Sequence, residues 1–155
     1  MTESVTGRFE LGTDGPTAIL VGVDDSTTSL RAASYAAGLA RRQGARVTAV
    51  FVAPMASLGA ATPGGADLAA ARQQAARQIA DDMRRRAEEV SGELGISVTF
   101  IATEGDAYTE IRRIADEIRA DAVVVGASTK AGHRLVGSLA VRLVRAGRWP
   151  VTVVP

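Results

Sequence analysis

The stretch that decides the fold is Ala18-Ile-Leu-Val-Gly-Val-Asp-Asp-Ser26. Its first six residues form a nearly continuous apolar run, Ala18 to Val23. Such a run fits a strand buried on both faces, as in a parallel sheet. Asp24 and Asp25 end it, and Ser26 is a good N-cap for a helix over about Thr27 to Gln43. Leu30, Ala33, Ala37 and Ala40 recur on that helix at helical spacing, and Gly44 is its C-terminal stop.

The alternation continues on the C-terminal side. Arg46 to Ala53 reads as a second strand ended by Pro54, and Met55 to Gly65, rich in Gly, Ala and Pro, as a candidate mobile loop. Asp67 is expected to cap a helix to about Val90 with Ile79, Met83 and Val90 on one face, and Ser97 to Ala102 is a third strand. Asp106 caps the next helix, whose Ile111, Ile114, Ala115 and Ile118 make the clearest amphipathic stripe of the chain. Asp121 to Val125 is a fourth strand, about Leu135 to Ala146 a helix carrying Leu135, Leu139 and Leu143, and Val151 to Val154 the last strand. On the N-terminal side, residues 1–16 lack periodicity and read as a flexible arm, leaving 17–155 as one domain. The fold class expected is α/β: a five-stranded parallel sheet, order 3-2-1-4-5, with helices on both faces, a Rossmann-like arrangement. Ligands of such sheets bind beyond the C-terminal strand ends, where strand order reverses.

Composition narrows the function. The 155 residues are 46% hydrophobic and 23% charged, as in an ordinary globular domain. The chain has no cysteine, which excludes disulfides and thiol chemistry, and a single histidine, His133, which excludes a site needing two imidazoles. A net charge of +1 and 4% aromatics argue against nucleic acid as a partner. No apolar run nears the roughly 20 residues that span a bilayer, and the polar first residues lack a signal-peptide core. The expectation is a cytoplasmic protein away from membranes.

Two segments could carry chemistry. The first is Gly126-Ala-Ser-Thr-Lys-Ala-Gly-His-Arg-Leu-Val-Gly-Ser138. Gly126, Gly132 and Gly137 let backbone approach a ligand, Ser128, Thr129 and Ser138 offer hydroxyls, and Lys130, His133 and Arg134 add positive charge. A helix start following these residues favours a phosphate. A Gly-rich turn with a Ser cap explains the same residues. Gly132-x4-Gly137-Ser138 lacks the lysine of a P-loop, which excludes that class of NTPase. The second segment is Asp24 with its neighbours. Its carboxylate could accept from a ribose hydroxyl or hold Mg2+, or could shape an Asp-Asp-Ser turn. His133 is the one candidate general base and has no recognisable nucleophile beside it, so binding is expected rather than catalysis.

Taken together, several segments carry a resemblance. They are Val21-Gly-Val-Asp-Asp-Ser26, the strand Val47 to Val52 ahead of a variable loop, and Gly105-Asp-Ala-Tyr-Thr-Glu-Ile111. Ala120-Asp-Ala-Val-Val-Val-Gly126, Gly137-Ser138 and Pro150-Val-Thr-Val-Val154 complete the set. In this order and spacing the chain resembles a single-domain universal stress protein from about Ala18 to Val154. The resemblance implies a stress-response regulatory protein with an adenine nucleotide, ATP or another, across strands one and four, and ATP hydrolysis slow or absent. Asp24 would sit by the ribose, Val52, Val125 and Gly126 would meet the adenine side, and Gly126, Gly137, Ser138 and Leu139 would line ribose and phosphates. The family's motif is written G-x2-G-x9-G-[ST], whereas here it reads Gly126-x2-Thr129-x7-Gly137-Ser138. A β-branched Thr129 resists positive φ, and the shorter loop offers fewer N–H groups. Two functions therefore stay open: a nucleotide-binding regulator, and a nucleotide-independent dimeric interaction module. Both would act through a regulatory partner that the sequence does not name. A receiver-like phospho-acceptor is excluded, because strand five ends Val153-Val-Pro155 without the lysine it needs. The short, uncharged strand Val151 to Val154 should be a sheet edge, free to pair with a second copy in a homodimer.

Overall fold

The computed structural model describes residues 15–55, 62–128 and 138–155. Nine elements alternate along the chain: β1 (Ala18–Val23), α1 (Thr27–Gln43), β2 (Arg46–Ala53), α2 (Gly65–Leu94), β3 (Val98–Glu104), α3 (Ala107–Glu117), β4 (Ala122–Gly126), α4 (Ser138–Ala146) and β5 (Val151–Val154). They build one five-stranded sheet in the order β3-β2-β1-β4-β5, with every neighbouring pair parallel.

Period-two alternation splits the strand residues between two cores. Ile19, Val21 and Val23 of β1 and Val47, Ala49 and Phe51 of β2 face α1 and α2. Leu20, Val50, Val123 and Val125 face α3 and α4. Covered on both sides, β1 has four side chains at 1% exposure or less, which is why its sequence shows no polar alternation.

The helices follow their stripes with instructive shifts. On α3, Ile111, Ile114 and Ala115 are buried as expected, and Ile118 packs against the same core from the C-cap position. On α1 the fully covered line is Ala32, Ala36 and Ala40, not the one through Leu30 and Ala33, which are only half-buried. Small residues win because the helix lies close to the sheet. Gly64, with φ at 78°, stands at the N-cap of α2, so Asp67 does not cap the helix. Asp67 lies instead in its first turn, where a carboxylate complements the helix dipole. The helix also passes Val90 and runs to Leu94, ending at Gly95 with φ at 62°. Strand β3 starts one residue later than expected and continues to Glu104. Strand β4 starts one residue later and includes Gly126. Residues 1–14 of the expected arm, most of the Met55–Gly65 loop, and Leu135 lie outside the described residues.

The sheet is pinned at the N-terminal ends of its two central strands. Asp121 Oδ2 accepts from Thr17 N at 2.8 Å, Thr17 Oγ1 at 2.9 Å and Ala18 N at 2.9 Å, tying the start of β1 to the start of β4. Burial pushes this carboxyl up, but the bonds from Thr17 and Ala18 outweigh it and hold the group below its ordinary range.

Candidate functional site

Register creates the opening. The pairing of β1 with β4 ends at Val21↔Val124, two residues before either strand ends. The outer pairings continue, β1 with β2 to Val23↔Phe51 and β4 with β5 to Gly126↔Val154. The sheet is therefore parted between β1 and β4 at its C-terminal edge, where strand order reverses.

The chain leaving β1 is held in a tight turn. Asp24 Oδ1 accepts from Ser26 N at 3.1 Å, and Asp24 N donates to Ser29 Oγ at 3.1 Å. Asp25 sits between them with φ at 67°, a conformation that Asp tolerates better than most residues. Ser26 caps α1 by accepting from Ser29 N at 3.2 Å. Thr28 Oγ1 then donates to Ala127 O at 2.7 Å, fastening the start of α1 to the chain just past β4. Asp24 thus does shape the turn, as the plainer reading had it, while also lining the cavity described below.

Gly126 owes its identity to this junction. A Cβ there would lie 2.5 Å from Thr28 C, 2.6 Å from Ser29 N and 2.8 Å from Thr28 O. The close approach that demands glycine is thus to the backbone of α1, whereas the sequence reading assigned it to a ligand.

Above the parting lies a cavity of about 980 Å³. That is the upper end of small-molecule sites, which run to roughly 1,000 Å³. It gathers Asp24 from just past β1, Val52 from β2, Val125, Gly126 and Ser128 from the β4 end, and Ser138 and Leu139 from α4. All are residues singled out from the sequence. Thr129, Lys130, Gly132, His133, Arg134 and Gly137 lie outside the described residues. Glu104 lines the cavity from the end of β3, one of the strand ends where a ligand was expected, whereas Ser29 of α1, Leu68 and Arg72 of α2, and Ala107 and Ile111 of α3 had not been anticipated. Ile111 had read only as core. The N-terminal turns of α2 gave no signal because their apolar residues, nearly all alanine, form no single stripe and are mostly exposed. Among the described residues, no group of three His, Asp or Glu side chains is placed to hold a metal ion.

Two further charge clusters flank the cavity. Asp106 caps α3, accepting from Thr109 N at 2.9 Å, and also accepts from Arg142 Nη1 of α4 at 3.1 Å. The Arg142 bond, followed by those from Thr109, lowers its carboxyl to about 2. Glu110 accepts from Arg113 at 2.8 Å and from Thr103 at 3.1 Å, and both bonds hold it below its usual range.

A parallel sheet in this order, opened at its reversal point beneath a polar and apolar cavity, defines an α/β binding protein of the nucleotide-fold class. Residues 17–155 match the universal stress protein family, and the chain belongs to it. Universal stress protein MJ0531 of Methanocaldococcus jannaschii is 27% identical over 139 residues, covering 88% of this chain and 80% of its own. The structure of the universal stress protein UspA from Lactobacillus plantarum is similar at 28% identity with a TM-score of 0.73, covering 90% of this chain and 97% of its own. A universal stress protein solved in complex with cAMP is 25% identical with a TM-score of 0.66, covering 90% and 97%. No helix among the described residues is long and apolar enough to cross a membrane.

Proposed function

We propose that the chain is a nucleotide-binding regulatory member of its family, taking an adenine nucleotide across the ends of β1 and β4. The observation that carries this reading is the convergence of Asp24, Val52, Val125, Gly126 and Ser138 on one cavity above the parted sheet. The related protein solved with cAMP supports the ligand class. Asp24 would face the ribose and Val52 the adenine, with Ile111 as apolar floor. The start of α4 at Ser138 would meet the phosphates, as free N–H groups and the helix dipole favour. The same reading gives Thr129, Gly132 and Gly137 to the phosphate loop, with Ser128, Lys130, His133 and Arg134 as phosphate contacts. Mg2+ would enter with the phosphates and could take an oxygen of Asp24. Residues 17–155 would act as one domain behind an arm of residues 1–16, in the cytoplasm, with hydrolysis slow or absent.

Calorimetric titration with ATP, ADP, AMP and cAMP tests this reading. Asp24→Asn keeps an acceptor for Ser26 N while removing the charge, and should weaken binding about tenfold, the scale of one hydrogen bond to a charged group. Absence of binding to the wild type at millimolar nucleotide would instead favour the nucleotide-independent interaction module. That second reading draws on β5, an edge strand hydrogen-bonded to β4 and carrying no charge from Val151 to Val154. Under either reading we assign the homodimer contact to this edge.

A further inference from the structure

Arg142 of α4 grips α3 at two points. Its Nη1 donates to Asp106 Oδ1 at 3.1 Å, and its guanidinium lies 4.2 Å from the centre of the Tyr108 ring. The other oxygen of Asp106 is occupied in capping α3, accepting from Thr109 N at 2.9 Å and Thr109 Oγ1 at 2.8 Å. Arg142 therefore holds the first turn of α3 through both the cap and the neighbouring aromatic residue.

The position of this bridge gives it a consequence for the cavity. Ser138 stands four residues before Arg142, one helical turn away on the same stripe of α4. Ser138, Leu139 and Ala140 line the cavity from α4, and Ala107, next to Asp106, lines it from α3. The starts of α3 and α4 thus both line the cavity, and Arg142, one turn into α4, reaches the start of α3. The Arg142 and Asp106 side chains are 49% and 52% exposed, so the ion pair adds little to overall stability. What the bridge can set is the placement of the first turn of α4 and the charge beside it.

We propose that Arg142 is a positioning residue of the cavity. By spanning Asp106 and Tyr108 it holds the α4 start where the anionic end of a phosphate-bearing nucleotide docks, and it offsets the Asp106 carboxylate next to that end. The ligand part of this inference rests on the nucleotide reading above. The hold on α4 does not.

The test compares ATP, AMP and adenosine binding in the wild type, Arg142→Ala, Arg142→Lys, and Arg142→Ala combined with Asp106→Asn. Hydrogen exchange of the Leu143–Arg145 amides in ligand-free protein is measured alongside, because their helical bonds run back to residues 139–141. Arg142→Ala should weaken ATP about tenfold and AMP less, with adenosine within about twofold, because repulsion scales with ligand charge. Arg142→Lys keeps a cation but not the stacked plane, and should recover part of the loss. The double variant should recover the electrostatic part as well. Equal losses for ATP and adenosine would overturn the proposal, as would unchanged exchange in Arg142→Ala. If the wild type binds no nucleotide, the nucleotide reading fails, and exchange alone decides the bridge. Faster exchange then upholds its hold on α4, and unchanged exchange refutes it.

Discussion

Replacing Gly126 with alanine adds one methyl group at the junction of β4 and α1. The new Cβ would meet Thr28 C at 2.5 Å, Ser29 N at 2.6 Å and Thr28 O at 2.8 Å. These are backbone atoms, so no rotamer change relieves the contact. Relief requires the start of α1 to retreat by roughly 1 Å, the shortfall from ordinary contact distances of about 3.5 Å or more. That movement stretches the 2.7 Å bond from Thr28 Oγ1 to Ala127 O. Overpacking costs about 1–3 kcal/mol and a lost hydrogen bond about 0.5–1.5, so the sum is about 1.5–4.5 kcal/mol. Gly22 supplies the control. A Cβ there meets side-chain atoms, Ile111 Cδ1 at 3.2 Å and Val125 Cγ1 at 3.4 Å, which can adjust. Urea unfolding of the wild type, Gly126→Ala and Gly22→Ala should place Gly126→Ala well below the other two, with unchanged slope. If Gly126→Ala falls within about 0.5 kcal/mol of the wild type, the range of a neutral substitution, the packing reason for this glycine is wrong.

Other perturbations test separate parts of the structure. Ser26→Ala removes the acceptor for Ser29 N and should destabilise by about 1 kcal/mol in urea unfolding, with Ser26→Gly costing less. Asp121 has its folded-state pKa depressed, so its charge contributes stability above about pH 4, and that contribution is lost as pH falls through the folded value. Asp121→Asn should therefore unfold at lower urea than the wild type at pH 7, the gap shrinking below about pH 4, and a gap independent of pH would contradict the assigned charge. Pro150 O and Val154 O accept from the β4 side, which leaves the N–H groups of residues 151 and 153 on the free edge. Val153→Pro with Thr152→Lys therefore removes an edge donor and adds a charge, and sedimentation should show loss of the proposed homodimer. If the double variant and the wild type sediment as the same dimer, β5 is not the contact.

The site was legible only in outline. Asp24, Val52 and Ser138 could be picked out because each lies at a strand end or helix start, whereas Val125 and Leu139 were implied by the family resemblance. Ser29 and Arg72 line the same cavity from within α1 and α2, without such a mark. Their segments are far apart in the chain and meet only through packing across the sheet. The bridge from Arg142 to Asp106 joins residues 36 positions apart, on two helices that no local pattern relates.

Alternation of apolar strands with capped, amphipathic helices was enough by itself to establish a parallel α/β sheet. Burial on both faces leaves a local signature in the central strands β1, β2 and β4, and α1 and α3 carry their own stripes and side-chain caps. Gly126 shows where that information ends. Its residue type was visible in the sequence, but its reason was not. A ligand and a passing helix both favour the absence of a side chain, and only the tertiary structure brings the Thr28 backbone to within 2.5 Å of where a Cβ would stand. The parting of β1 from β4 after Val21 and Val124 was decided in the same way. Beside it α1 is fastened to the chain beyond β4, a contact between residues 99 positions apart that local propensity cannot encode.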